Sequence, residues 1–173
     1  MGKIAVIYKS KHGTTKQYAE WIADELSAVL LEAESVKADQ LKSFDVVIYG
    51  GGLYAGGIDG VKQVMKTLPE NLVVFTVGLA DPKSTDYAEI LNKNFTPGLQ
   101  ANVKVFHLRG GIDYSKLSFI HKTMMGVVCK ATKKQPETER TEEDKLFLET
   151  YGKKIDFTDK STIAPLVDYV MKM

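Results

Sequence analysis

Cysteine is almost missing from this chain. The one present, Cys129, excludes an intrachain disulfide and any cluster of cysteine metal ligands. Histidine is scarce too. His12, His107 and His121 show no metal-ligand spacing, so no metal site is expected. Neither sign of charge dominates: 23 Lys and Arg face 22 Asp and Glu, a formal net charge of +1. A nucleic-acid-binding domain would be strongly basic, so no nucleic-acid partner is expected. No apolar run reaches the roughly 18 residues of a membrane-spanning helix, and no cationic stretch precedes a signal-like apolar segment. The chain is expected to be soluble and cytoplasmic. Internal repeats and low-complexity segments are also lacking.

What is present is an alternation of strand-like and helix-like runs. At 173 residues and 44% hydrophobic, the chain can bury one sizeable core, and a single domain over 1–173 is expected. Lys3-Ile4-Ala5-Val6-Ile7-Tyr8 reads as a buried strand. Similar runs recur at 33–36 (weakly), 45–49, 72–77 and 103–108. Between them, Tyr18, Ile22, Leu26, Val29 and Leu30 predict an amphipathic helix over 15–31. Val61, Val64, Met65 and Leu68 suit a short helix stopped by Pro69, and a further helix is expected over 84–94. This order predicts an α/β fold of three layers, a five-stranded parallel sheet with helices on both faces. The continuous apolar strands fit burial on both sides.

Beyond the fifth strand, residues 114–134 predict an added long helix. Leu117, Ile120, Met124, Val127, Val128 and Ala131 share an apolar face, broadened by Phe119, Met125 and Cys129. Lys130, Lys133 and Lys134 suit its C-terminal dipole. After a polar linker at 135–140, Thr141-x-x-Asp144 opens a short helix that Gly152 can close. Ile163, Leu166, Val167 and Val170 mark a last helix, whose start Pro165 leaves open.

Ligands of open parallel sheets sit beyond the carboxyl ends of the strands. The loops of interest are therefore 9–15, 50–58, 78–83 and 109–114. The first holds Ser10, Lys11, His12, Gly13, Thr14 and Thr15. A helix N-terminus exposes unpaired amides and a positive dipole end, which suits an anion. The loop lacks Gly-x-x-x-x-Gly-Lys-Ser/Thr and Gly-x-Gly-x-x-Gly. Hydroxyls stand where those motifs use glycine, which favours a mononucleotide phosphate. The competing reading is an ordinary strand-to-helix turn with a Thr N-cap. Gly50 to Ala55 matches Gly-x-Gly-x-x-Ala, but after the third strand and without a suitably placed second strand, so a dinucleotide is not expected. Cys129 reads as a small core residue, and Trp21 as packed or half exposed.

Ile7-Tyr8-Lys9-Ser10-Lys11-His12-Gly13-Thr14-Thr15 resembles the phosphate loop of flavodoxin-like proteins, which bind FMN. A second segment runs from Arg109-Gly110-Gly111-Ile112-Asp113-Tyr114-Ser115-Lys116-Leu117 into a helix through Met124-Met125. Glu137-Thr138-Glu139-Arg140 and Asp156-Phe157-Thr158-Asp159 continue the likeness. Over essentially its whole length the chain resembles the flavodoxin-like, quinone-dependent protoporphyrinogen IX dehydrogenase family.

The resemblance implies strand order 2-1-3-4-5, FMN as cofactor, and oxidation of a porphyrinogen with electrons passed to a quinone, a step of haem biosynthesis. The flavin performs that chemistry, so no catalytic side chain is expected. Ser10, Thr14, Thr15 and the amides of 11–15 would surround the phosphate, with Lys11 and His12 either assisting or facing solvent. Gly52, Leu53, Tyr54 and Ala55 would wall the ring, Tyr54 either stacking on it or anchoring its own loop. Gly78, Leu79 and Ala80 would hold the pyrimidine end, and Gly110, Gly111, Asp113 and Tyr114 would flank the ring. Asp81 either caps the next helix or faces the flavin. Arg109 either attracts a carboxylate or pairs with Asp113.

The implied partners are a porphyrinogen or other hydride donor, and a quinone or redox protein. The 114–134 helix would touch substrate, core, or the inner face of the membrane as a peripheral contact. Loop 50–58 departs from better-known members: it has more glycine and no basic residue, where a propionate-bearing substrate wants cations. The alternative reading is a flavodoxin-type electron carrier with no substrate of its own. Such carriers are strongly acidic, unlike this chain.

Overall fold

The computed structural model describes residues 2–173. In chain order the elements are β1 (Ile4–Lys9), α1 (Thr14–Leu26), β2 (Val29–Glu32), α2 (Ala38–Leu41), β3 (Val46–Tyr54), β4 (Gly57–Ile58), α3 (Val61–Met65) and β5 (Leu72–Gly78). Then come α4 (Ala88–Asn94), α5 (Pro97–Gln100), β6 (Lys104–Arg109), β7 (Gly111–Asp113), α6 (Phe119–Lys134), α7 (Glu142–Thr150), β8 (Lys154–Asp156) and α8 (Ala164–Met171). They fall into two compact units, residues 2–110 with 158–173, and residues 111–157.

The first unit is built on a sheet of order β2-β1-β3-β5-β6, all parallel, with β4 added antiparallel to β3. This is the expected parallel order. Successive residues of β1 feed opposite cores, as the period of two requires. Ile4, Val6 and Tyr8 pack with Tyr18, Ile22, Leu26, Leu166 and Val170. Ala5 and Ile7 pack with Val61, Val64, Val74 and Phe95. Trp21 is partly buried, edge-on to Tyr18 at 5.4 Å.

Several boundaries differ from expectation, each for a local reason. The first helix stops at Leu26 rather than near 31, because Ser27 turns left-handed at φ 49°. Val29, Leu30 and Leu31 then pair with β1 as the second strand, while Ala33–Ser35 is a 3-10 turn instead of a strand. A short apolar run fits either period, and here sheet pairing decided. The third strand does not end at Tyr49. It continues through the glycines to Tyr54, Gly50 pairing with both Tyr8 and Phe75. A Cβ on Gly50 would lie 2.0 Å from Phe75 Cζ, so glycine is what lets the ladder continue there. The helix expected from 84 begins at Ala88. Asp81 closes a turn instead of capping that helix: its Oδ1 accepts from Lys83 N–H at 3.0 Å, and its carbonyl from the Thr85 hydroxyl at 2.7 Å. Pro165 sits in the first turn of α8, where its missing N–H costs nothing.

In the second unit, β7 and β8 form an antiparallel ladder, Gly111 opposite Asp156 and Asp113 opposite Lys154. The long helix starts at Phe119, not 114: Tyr114–Lys116 is a 3-10 turn, and Ser118 caps α6 by accepting from His121 N–H at 3.3 Å. Thr141 and Asp144 form the expected capping box on α7. Cys129 is buried, yet Phe119, Ile120, Met124, Val127 and Val128 are exposed. Among the described residues, no helix is long and apolar enough to cross a membrane.

Candidate functional site

The turn after β1 ends in Gly13, which is left-handed at φ 88° and caps α1 with no side-chain hydrogen bond. The competing reading, a Thr N-cap, is therefore not what forms: Thr14 and Thr15 are the first two helical residues. The amides of Thr14, Thr15 and Lys16 lack an i−4 carbonyl by helix geometry, so they and the dipole remain available to an anion. The Ser10 hydroxyl arches over the turn and accepts from Gly13 N–H at 3.1 Å. A Cβ on Gly13 would meet nothing within 4 Å, which shows open space beside the turn.

Three further strand ends converge on this point. Gly110 N–H donates to the Gly78 carbonyl at 2.7 Å. A Cβ on Gly110 would stand 2.9 Å from Thr14 Oγ1 and 2.4 Å from Val77 Cγ1. Leu53 covers Gly78, where a Cβ would lie 3.1 Å from Leu53 Cδ1. Arg109 Nε donates to the Leu79 carbonyl at 2.9 Å, and the Arg109 carbonyl accepts from the Tyr18 hydroxyl at 2.7 Å. Arg109 thus braces the bend that contains Leu79 and Ala80. The structure brings together Thr14, Leu53, Gly78, Leu79 and Gly110. Gly111, Asp113 and Tyr114 belong to the second unit. Gly111 allows the close ladder, since a Cβ would lie 2.2 Å from the Ile155 carbonyl oxygen. Asp113 accepts from Ser115 N–H and Oγ, which holds its carboxyl below the usual range. Tyr114 is buried edge-on to Tyr151.

The β3–β4 hairpin carries Gly52, Leu53, Tyr54 and Ala55. The Tyr54 ring lies against Gly52, where a Cβ would approach Tyr54 Cε2 to 2.9 Å. Lys11 Nζ stands 4.2 Å from the Tyr54 ring centroid, and the His12 ring centroid is 6.0 Å away. Burial, then the nearby Asp59 charge, push the Tyr54 phenol up to about 12, so it stays protonated at neutral pH. Asn94 grips the turn from α4, donating to the Gly56 carbonyl at 2.9 Å and accepting from Ile58 N–H at 3.0 Å.

A sequence profile for the flavodoxin domain matches residues 5–139. The chain belongs to the flavodoxin domain family. An uncharacterized protein of Methanocaldococcus jannaschii is 28% identical over 104 residues, 57% of this chain and 69% of that one. Among solved structures, a flavodoxin from the domain Archaea shows 21% identity over 61% of this chain and 84% of its own, TM-score 0.42. Oxidised flavodoxin 2 of Bacillus cereus shows 18% over 85% and 93%, TM-score 0.43. A flavoprotein of Lactobacillus acidophilus in complex with FMN shows 15% over 63% and 93%, TM-score 0.42.

For this flavodoxin domain, sequence reasoning missed four residues around the hairpin: Asp59, Lys62, Lys93 and Asn94. With Lys11 and Tyr54 they line a cleft of about 420 Å³. Lys93 and Asn94 lie in a helix whose register toward the hairpin no local pattern reveals. Asp59 sits in the turn between β4 and α3, a position where acids are common for other reasons.

Proposed function

We propose that this flavodoxin domain protein is an FMN-dependent oxidoreductase that oxidises a porphyrinogen and delivers the electrons to a quinone. One observation carries the reading: the α1 N-terminus has no side-chain cap and is rimmed by Ser10, Thr14 and Thr15, at the carboxyl end of a central strand. Those hydroxyls, with the amides of 14–16, fit the phosphate of FMN. The Gly78–Ala80 backbone offers amides and carbonyls to a planar heterocycle. Leu53 and Tyr54 provide apolar surface that excludes water. When bound, FMN supplies the hydride and single-electron chemistry, and the chain binds and orients. The whole-length resemblance supports the porphyrinogen as donor and the quinone as acceptor.

Quinones dissolve in membranes, so the same reading takes a peripheral contact at the inner membrane face through α6. Its exposed apolar residues are accompanied by Lys122, Lys130, Lys133 and Lys134, with no Asp or Glu from Phe119 to Lys134. A second reading, an electron carrier without its own substrate, draws support from membership of the flavodoxin domain family. A net charge of +1 counts against it, because a steered carrier gains from a strong field of one sign.

Purified protein is expected to take up FMN, and Gly13→Asp to weaken uptake at least tenfold by setting an anion and a strained left-handed residue at the phosphate. Anaerobic incubation with protoporphyrinogen and a quinone should then yield fluorescent protoporphyrin. No turnover, together with rapid single-electron exchange with a ferredoxin reductase, establishes the carrier instead. Protein that ignores FMN removes both readings.

A further inference from the structure

Arg109 is anchored at both its backbone and its side chain beside the bend that follows β5. It ends β6 opposite Gly78 in the ladder. Its carbonyl accepts from the Tyr18 hydroxyl at 2.7 Å, and that hydroxyl in turn accepts from Asp159 N–H at 3.1 Å. Tyr18 is fully buried, so the Arg109 backbone is held from two directions. From this base the side chain reaches the neighbouring strand end, where Nε donates to the Leu79 carbonyl at 2.9 Å.

That single contact orients a whole peptide unit. The Leu79–Ala80 peptide is trans, hence planar, with its C=O and N–H pointing in opposite directions. Because the Leu79 carbonyl turns toward the guanidinium, the Ala80 N–H points away from it. Among the described residues this N–H donates to no protein acceptor. Leu79, Ala80 and Arg109 are all half-buried, where charge is screened less than at an open surface. A cation bound at the carbonyl polarises the peptide and strengthens any hydrogen bond its N–H makes. The adjacent acid does not cancel this arrangement by hydrogen-bonding to that amide: Asp81 Oδ1 accepts from Lys83 N–H at 3.0 Å.

We propose that Arg109 is a positioning residue that favours reduced over oxidised FMN, acting through the Ala80 amide at the pyrimidine end of the ring. The inference rests on the FMN reading given above. When a hydride passes from the donor to the ring, two electrons and one proton enter together, and the donor's remaining proton goes to solvent. The ring thereby gains one negative charge, spread over N1 and the C2 oxygen. A preorganised N–H backed by a guanidinium stabilises charge that develops there. The neutral oxidised ring gains less from the same donor. The chain thus raises the tendency of its cofactor to accept hydride, which is what an enzyme drawing hydride from an organic donor requires.

Titration of the apoprotein with oxidised FMN, and anaerobically with reduced FMN, tests this. The readout is the ratio of the two dissociation constants, which a residue that merely shapes the pocket leaves unchanged. Arg109→Gln should weaken reduced FMN at least about tenfold more than oxidised FMN, equivalent to a fall of about 30 mV in the two-electron midpoint. Arg109→Lys keeps the positive charge and should recover most of the lost ratio. Equal weakening of both forms, an unchanged ratio, or no recovery with lysine each overturns the proposal and leaves the FMN reading standing. Should Arg109→Gln fail to fold, Ala80→Pro takes its place: Ala80 is not left-handed, and proline deletes the N–H in question. The ratio should shift in the same sense, and a ratio like that of the parent overturns the proposal. Parent protein that binds neither form of FMN removes the FMN reading and this inference with it.

Discussion

Burial drives the His107 imidazole down to about 4 from its ordinary 6.5. The ring lies flat against Tyr87, centroids 3.5 Å apart and planes 3° from parallel, and its Nδ1 is 2.6 Å from Thr76 Oγ1. Thr76 and His107 are register partners on β5 and β6, so this cluster ties the sheet to the segment leading into α4. With the folded value depressed, the unfolded chain binds more protons between pH 6.5 and 4. The stabilisation is complete above about 6.5 and is lost as pH falls toward 4. Allowing for partial exposure, about 1–2 kcal/mol should disappear over that window. Denaturant titrations at pH 7.5, 5.5 and 4 measure it, and His107→Gln should flatten the pH dependence. An unchanged slope in that variant would assign the loss to the carboxylates. None of this was legible in the sequence, where His107 is an isolated residue on a strand.

At the scale of elements, the hairpin is the informative case. Ala55 and Gly56 both have positive φ, 48° and 75°, between the paired residues Tyr54 and Gly57. A two-residue hairpin turn of the primed type needs that conformation at both positions. Glycine supplies it freely, and alanine pays about 1–2 kcal/mol for it. Ala55→Gly is therefore expected to raise the unfolding free energy by about 0.5–1 kcal/mol, after the added entropy of an unfolded glycine is subtracted. The denaturation midpoint should rise at constant slope. A fall, as for Ala→Gly at an ordinary loop position, would show that the turn is not strained there. The Gly-rich stretch was readable as a place of close backbone approach. That it is a strand and hairpin depended on partners distant in sequence: Tyr8, Phe75 and the Asn94 clamp.

At the scale of the whole molecule, near-neutral charge and an exposed apolar helix face stand out together. Phe119, Ile120, Val127 and Met124 are 83, 70, 65 and 60% exposed, beside the four lysines of α6. An amphipathic helix with cationic flanks binds anionic lipid surfaces by apolar insertion plus electrostatic attraction. Sedimentation with vesicles rich in phosphatidylserine should carry the protein down at low salt and less so at 0.5 M salt. Ile120→Glu with Met124→Glu should abolish that, leaving FMN uptake intact. Equal sedimentation with neutral vesicles, or none with anionic ones, would remove the membrane contact from the proposed function. The apolar face of 114–134 was plain in the sequence. Periodicity marks which side of a helix is apolar, but not whether anything covers it.

Local patterning alone determined the parallel α/β architecture and the hydroxyl-rich turn after β1; the strand order was available only through the family resemblance. The first two depend on the period of apolar residues and on the chemistry of a few adjacent side chains. Tertiary structure alone decided where the first helix yields to β2, how far β3 runs, and which cations gather around Asp59. Each of these is settled by groups distant in sequence, through ladder pairing, packing against Phe75, and lysines from three separate elements meeting at one cleft. No local signal encodes such meetings, because their free energy exists only once the chain has closed on itself.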